Sequence, residues 1–390
     1  MKHNYLSFLI LGNLPVLSVA EVVAYLEARK ISYDIVDVNT AVLLLRHDTA
    51  VDWSELGGVK KAGKICGESG DLNMSTARVL LEEHLPADKK IFGFSFYNLT
   101  SAALKRAKGD FEREALTWKK EWRAVDKIRV RLVKSRLPEM SSVIVGQEKL
   151  LPPQGMDVVI IGSGHKFFYG YTESIQDYRL YGERDFGKPV RDELRGMMPP
   201  KLARMMINYS QNSREVGILD PFCGVGTLPL EALSLGYKKI FAGDISPEAV
   251  MATQKNINWW KENNTSEATV DIKKADAREV SKSFPKNVRS IITEPYLGPL
   301  VKQSTTPVQA QKAMEELKNL YRQCFREWQR FLPVGGRVVM IWPEYHVQGS
   351  KLTINLDDKL VADGWVQIDY LLKNSILGAW RRGLPKAEQR

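Results

Sequence analysis

Residues 218–232 read ILDPFCGVGTLPLEA. An apolar run stops at Asp220, a loop with Gly224 and Gly226 follows, and a stretch of good helix formers comes next. Strand, glycine-rich turn and helix is the layout of a nucleotide pocket. Three loop chemistries compete for it. A phosphate loop of the form GxxxxGK[ST] needs a lysine and a hydroxyl for the γ-phosphate and magnesium, and no lysine follows Gly226. A dinucleotide loop needs GxGxxG. Gly224 and Gly226 supply the first two glycines, but the third position is Pro229. Asp220 points to the remaining chemistry. A carboxylate at the strand end repels a pyrophosphate and attracts positive charge, more strongly in a dry pocket. S-adenosylmethionine carries a sulfonium, an ammonium and no phosphate. The two glycines let the backbone approach its adenosyl unit closely.

Outward from this loop, strand-like and helix-like segments alternate from about residue 190. The strand candidates are Val216–Leu219, Lys239–Gly243, Val270–Ala275, Ser290–Thr293, Arg337–Trp342 and Val366–Leu372. Helical patterns fall between them: Leu228–Leu235, a helix opening at Ser246 and Pro247, and Pro307–Phe331 behind a Thr306/Gln309 capping box. Such alternation predicts a parallel, doubly wound sheet. Asp244 follows the second strand candidate (FAGDIS), Asp276 the third (KKADAR) and Glu294 the fourth (IITEPYLG). In a parallel sheet these acids and Asp220 all stand at the carboxyl edge, where such folds bind ligands. Asp244 is suited to both ribose hydroxyls. Asp276 is suited to the adenine amino group, with the Ala277 backbone at the ring edge. The bland reading of any one acid is a helix cap or turn residue.

Residues 1–165 differ. Strand candidates Leu6–Leu11, Ile35–Leu45, Lys90–Ser95, Ser142–Val145 and Asp157–Ile161 mix with helices and predict an α+β region. Residues 166–195, rich in Gly, Tyr and charge, read as a linker, and 196–390 as the doubly wound domain. The start, MKHNYLSFLILGNLPVLSVAEV, has the look of a signal peptide. Gly12, Asn13 and Pro15 interrupt it, and Ser18 with Glu21 fits a capping box, so folded structure is expected.

The chain of 390 residues has 56 Lys and Arg against 46 Asp and Glu, a formal charge of +10 that favours a polyanionic partner. Three scattered cysteines, with no CxxC or HxxxH, argue against a disulfide framework or zinc site and suit a reducing cytoplasm. After the start, no segment approaches the about 20 apolar residues of a membrane span. The excess charge concentrates in residues 104–136, with 12 Lys or Arg and 5 Asp or Glu. Trp118 and Trp122 there read as core residues of an amphipathic helix. The alternating IRVRLVK reads as an exposed strand edge whose cations contact phosphates.

These motifs resemble the THUMP-domain tRNA guanine N2-methyltransferases, especially the branch acting on guanosine 10. DPFCGVGTLPLEA is similar to that family's first cofactor motif. GDISPEAV and ADARE are similar to its ribose and adenine motifs. YGERDFGKPVRDELRGMMPPKLARMMIN resembles the segment that closes over the cofactor. More loosely, LSVAEVVAYLE, LGGVKKAGKI, IFGFSFYN and LPEMSSVIVGQEKL resemble its leader and THUMP segments. The resemblance implies a ferredoxin-like leader and THUMP RNA-binding region before a Rossmann-like class I methyltransferase domain. It implies cofactor contacts from Asp220, Phe222, Gly224, Gly226, Thr227, Asp244, Ile245, Asp276, Ala277 and Glu294, with tRNA as partner. The family's fourth motif is Asp or Asn, Pro, Pro, Tyr or Phe. Here Glu294, Pro295, Tyr296 and Leu297 stand in those places. The resemblance implies that Glu294 and the Pro295 carbonyl orient the target amine; the family's stacking position is Leu297 here, and Tyr296 is expected to meet the base in its place. Cys223 reads as a small filler, not a nucleophile, and methyl transfer requires no metal. Adenine N6 methylation of RNA or DNA, and a silent cofactor-binding RNA protein, remain open. So do the oligomeric state and any helper subunit.

Overall fold

The apolar run Tyr5–Leu11 (β1) opens an eight-stranded sheet with Tyr33–Val38 (β2), Val42–His47 (β3), Val59–Ser69 (β4), Lys89–Tyr97 (β5), Arg129–Leu132 (β6), Met156–Ser163 (β7) and Lys166–Ile175 (β8). The structure, a computed structural model, describes residues 4–126, 128–192 and 196–385. The strand order is β2-β3-β1-β4-β8-β7-β5-β6, antiparallel except for the parallel pairs β7–β5 and β5–β6. The chain divides into two compact units, one of residues up to Arg179 plus those from Tyr370, the other Leu180–Asp369.

Several expectations change in the first unit. The expected strand Ile35–Leu45 is a hairpin, because Asn39 Oδ1 accepts from the Ala41 and Val42 amides and turns the chain. Ser142–Val145 lies in the helix Ser142–Gln147, whose first turn is capped by Ser141. Its short apolar run fits either period. The first ten residues of the expected linker are β8, between β4 and β7, with Phe168–Thr172 buried. The helix Pro15–Ala28 begins before Ser18, so no capping box forms there. Ser18 donates to the Leu14 carbonyl, and Glu21 accepts from the Gly57 and Gly58 amides at 2.8 and 2.7 Å. Trp118 and Trp122 are buried on the long helix Ser101–Asp126, and β6 is an edge strand.

The second unit is built on Gly217–Asp220 (β9), Lys239–Asp244 (β10), Thr269–Lys274 (β11), Val288–Thr293 (β12) and Arg337–Met340 (β13). All are parallel, in the order β11-β10-β9-β12-β13. Leu219 and Ile291 pack with the helix Pro307–Phe331 in one core, while Ile218, Ile240 and Ile292 pack with helices Pro200–Tyr209, Thr227–Ser234 and Pro247–Asn263 in another. Both faces are covered, which is why the central strands β9 and β10 are largely apolar, while the edge strand β11 (TVDIKK) is not. The helix starts follow the sequence. Ser246 caps with Pro247 in the first position, and Thr306 and Gln309 form the reciprocal capping box. Trp328, wholly buried on the long helix, donates to the Ala277 carbonyl at 2.9 Å. Its replacement by alanine would cost about 3–5 kcal/mol.

Val366–Leu372 is not a strand. Its alternation is not matched by burial, since Val366, Ile368 and Leu372 are exposed. A hairpin of Glu344–Val347 (β14) and Ser350–Thr353 (β15) forms instead. The expected span of the second domain, 196–390, also shifts. The helix Ser375–Gly383 packs on β2 in the first unit, with Leu377 buried, and Lys373 pairs with Glu27 at 3.2 Å. Among the described residues no helix is long and apolar enough to cross a membrane.

Candidate active site

The strand order of the second unit reverses between β9 and β12, the crevice position at which open α/β sheets take ligands. Asp220 ends β9 and Glu294 follows β12, so the two acids flank the switch point. Asp220 is buried. Its Oδ1 accepts from Thr293 Oγ1 at 2.6 Å and from the Phe222 amide at 3.1 Å. Neither partner is a cation. Burial pushes the Asp220 carboxyl up to about 7, with the charges of Asp244 and Glu294 acting the same way. Burial also raises the Glu294 carboxyl.

The loop after Asp220 is shaped from several sides. Gly224 and Gly226 have φ of +52° and +84°, values that favour glycine. A side chain on Gly226 would meet Thr253, whereas beyond Gly224 the space is open. Thr253 Oγ1 donates to the Gly224 carbonyl at 2.9 Å. Asp244, at the end of β10, accepts from the Gly224 amide with Oδ2 and from the Ser246 amide with Oδ1, both at 3.0 Å. Beside it Ile245 is exposed. Phe222 is half-buried against the core around Trp328. Cys223 is buried and its thiol is pushed far up by burial, which suits a filler.

Asp276 and Ala277 stand just beyond β11. The Asp276 carboxylate caps the Arg278 amide at 2.8 Å and also pairs with the Arg278 guanidinium, so its carboxyl is held below the ordinary value. This acid therefore also plays the capping role open to any strand-end carboxylate.

The segment 181–208 ties onto the loop from behind. Arg184 and Arg204 both pair with the buried Glu231 of the helix Thr227–Ser234. Lys188 Nζ donates to Thr227 Oγ1 at 3.2 Å, and burial pushes that ammonium down. Asn256 bridges the carbonyls of Val190 and Val225. Residues 193–195 of this segment lie outside the described residues.

On the target side, Pro295 is buried and Tyr296 is 57% exposed. Tyr321 Oη donates to the Tyr296 carbonyl at 2.8 Å, and Tyr345 Oη to the Leu297 carbonyl at 2.7 Å. Among the described residues no hydrogen bond reaches the Pro295 carbonyl. Sequence reasoning missed Thr293, Thr253, Asn256, Tyr321 and Tyr345. Only Thr253 and Asn256 carried a signal: polar residues one helical turn apart among the inward positions Ala252, Ile257 and Trp260.

Residues 190–374 match the family model described as the RMKL-like methyltransferase domain. That segment is similar to the methyltransferase domain of this family over a little under half of the chain. The tRNA (guanine(10)-N2)-dimethyltransferase of Methanothermobacter thermautotrophicus is 31% identical to the chain over 150 residues, which are 38% of this chain and 40% of that protein. The tRNA (guanine(6)-N2)-methyltransferase of Thermus thermophilus is 28% identical over 155 residues, again 38% and 40%. The chain thus spans about two fifths of the length of these curated relatives. The crystal structure of TrmN from Thermus thermophilus is 17% identical, covering 89% of this chain and 97% of that one with a TM-score of 0.46.

The methyltransferase domain's residues fit S-adenosylmethionine. Asp220 is a buried carboxylate without a cation among the described residues, next to two further acids. Gly224 leaves open space beside a carboxylate at ribose-binding distance along the chain.

Proposed function

We propose that the chain transfers a methyl group from S-adenosylmethionine to the exocyclic N2 amine of a guanosine in tRNA, at position 10. The observation that carries this reading is the group Asp220, Asp244 and Glu294 around an open glycine loop at the switch point, with the exposed Tyr296 ring beside it. The names of the relatives support the substrate. In this reading Asp220, Phe222, Gly224, Gly226, Thr227, Asp244, Ile245, Asp276, Ala277 and Glu294 hold the cofactor. When bound, the cofactor supplies an electrophilic methyl group on a sulfonium. The chain's own groups do the rest by positioning. Glu294, its carboxyl made more basic by burial, accepts a hydrogen bond from the amine. The unengaged Pro295 carbonyl accepts the second. Together they aim the nitrogen lone pair, and the Tyr296 ring stacks on the base.

The first unit is the proposed THUMP-containing RNA-binding region. Of its cations, Arg106 and Arg113 pair with Asp110, Arg131 with Glu148 and Lys134 with Glu112. Lys105, Lys120, Arg129 and Arg136 are exposed and make no ion pair among the described residues. Lys127, within the basic segment 104–136, lies outside the described residues. Contacts of this kind position an RNA by its phosphates, so affinity falls steeply with salt. A tRNA substrate and three free cysteines suit a reducing cytoplasm.

The test is mass spectrometry of nucleosides from unmodified tRNA incubated with the protein and S-adenosylmethionine. N2-methylguanosine is expected. N6-methyladenosine would move the activity to the adenine amine. No methylated nucleoside, despite measurable cofactor binding, would leave a silent RNA-binding protein.

A further inference from the structure

The loop Glu294–Pro299 leaves β12 with three successive carbonyls in different states. That of Pro295 is unengaged among the described residues, while those of Tyr296 and Leu297 are each held by a buried tyrosine hydroxyl. The two hydroxyls come from different elements, Tyr321 from the helix Pro307–Phe331 and Tyr345 from β14. Both rings are fixed. Tyr321 is wholly buried and lies tilted against Trp342 at 5.4 Å, and Tyr345 is 7% exposed. Tyr345 Oη also lies 3.5 Å from the Pro299 carbonyl, and a methyl group on Gly298 would sit 1.9 Å from it. Gly298, at φ +92°, is what lets the loop close onto that hydroxyl. Burial raises both phenols, so they stay protonated donors. Outside this anchorage the loop is exposed at Tyr296 and Leu300, and a surface loop without such ties is mobile.

We propose that the Tyr321 and Tyr345 hydroxyls are positioning groups for methyl transfer: by pinning the Tyr296 and Leu297 carbonyls they hold the Glu294–Pro295 acceptor pair in register with the target amine. This rests on the functional reading above. The hydroxyls touch neither cofactor nor substrate; they act through the loop. A buried tyrosine needs one acceptor wherever it finds it. Here two tyrosines find theirs on adjacent peptide units, directly after the residues that must be placed to better than about 1 Å.

The experiment uses the full chain with Tyr321→Phe, Tyr345→Phe and the pair, which keep the rings and remove only the hydroxyls. Hydrogen exchange of peptides covering 294–305 is read beside single-turnover methyl transfer to tRNA, KM for tRNA and affinity for S-adenosylhomocysteine. In the pair, loop exchange is expected to rise at least about tenfold. The transfer rate is expected to fall about tenfold in each single variant and about a hundredfold in the pair. The affinity and the KM should stay within about threefold, because Asp220, Asp244 and the cations are untouched. A merely structural pair would move stability while leaving kcat alone. Unchanged loop exchange, or a loosened loop with the parent's rate, overturns the proposal. A parent that methylates no tRNA sinks the functional reading itself, and with it any role of the pair in that reaction.

Discussion

Each unit buries a carboxylate in its sheet, and the two are handled in opposite ways. In the first unit Asp157 is closed off. Lys61 Nζ lies 2.6 Å from Oδ2, Thr172 Oγ1 donates to the same oxygen and Ser95 Oγ to the other, both at 2.6 Å. Burial pushes the Lys61 ammonium down, and Asp157 beside it returns it above the ordinary lysine value. In the second unit Asp220 receives a hydroxyl and an amide but, among the described residues, no cation, and its neighbours Asp244 and Glu294 add negative charge. An isolated buried charge is expensive unless paired. A carboxylate that brings its own cation is architecture; in the function proposed above, one left short of a cation is a place for a cation from outside.

The largest expected effect breaks the closed side of this comparison. Lys61→Met leaves Asp157 buried without its counter-charge and should remove about 3–5 kcal/mol of stability in urea unfolding. Replacing both members by apolar residues should recover most of it. A loss below about 1 kcal/mol would show that the pair is no stronger than a surface contact. Next comes the chemistry on the open side. Glu294→Ala should lower the methyl-transfer rate about a hundredfold in single-turnover assays at saturating S-adenosylmethionine. Full activity would remove Glu294 from the target side. Asp220→Asn then sharpens the contrast with Lys61. It should weaken S-adenosylmethionine binding by about thirtyfold, roughly 2 kcal/mol, by losing a charge-assisted contact. Yet at pH 8 it should stabilise the unliganded protein, by calorimetry, because an uncompensated buried charge is gone. A destabilised Asp220→Asn variant would mean that Asp220 is architecture after all.

The open side was legible in the sequence because its residues are contiguous with strand ends. DPFCGVGT, GDIS, ADAR and EPYL each follow a strand candidate, and parallel strands carry such positions to one edge. The caps Ser246 and Thr306 were legible for the same reason, as local hydrogen-bonding chemistry. What escaped is chemistry between distant segments. Lys61 and Asp157 stand 96 residues apart, Thr293 and Asp220 73, and Tyr345 and Leu297 48. β8 escaped because its Gly, Tyr and charged residues read as a linker, though Phe168–Thr172 are buried between two neighbouring strands. Glu21 read as a capping residue because Ser18 stands three before it. The helix begins earlier, and Glu21 instead accepts two amides of a loop 36 residues on.

The smallest expected effect tests the open carboxylate without changing a residue. Folding raises the Asp220 carboxyl from the ordinary carboxylate range to about 7. Between about pH 4 and 7 the folded chain therefore keeps a proton that the unfolded chain has released. The stability this proton confers is full below about pH 4, declines as pH rises and is lost above about 7. A cationic ligand acts in the opposite sense, because it favours the ionised carboxylate. Binding S-adenosylmethionine at pH 6 must expel the proton, so affinity should be about tenfold weaker at pH 6 than at pH 8. Calorimetry in buffers of different ionisation heat should find nearly one proton released per cofactor at pH 6 and almost none at pH 8. Asp220→Asn should flatten both dependences. If the parent's affinity is flat from pH 6 to 8, Asp220 does not face the positive end of the cofactor, and the contrast with Asp157 is one of packing and not of function.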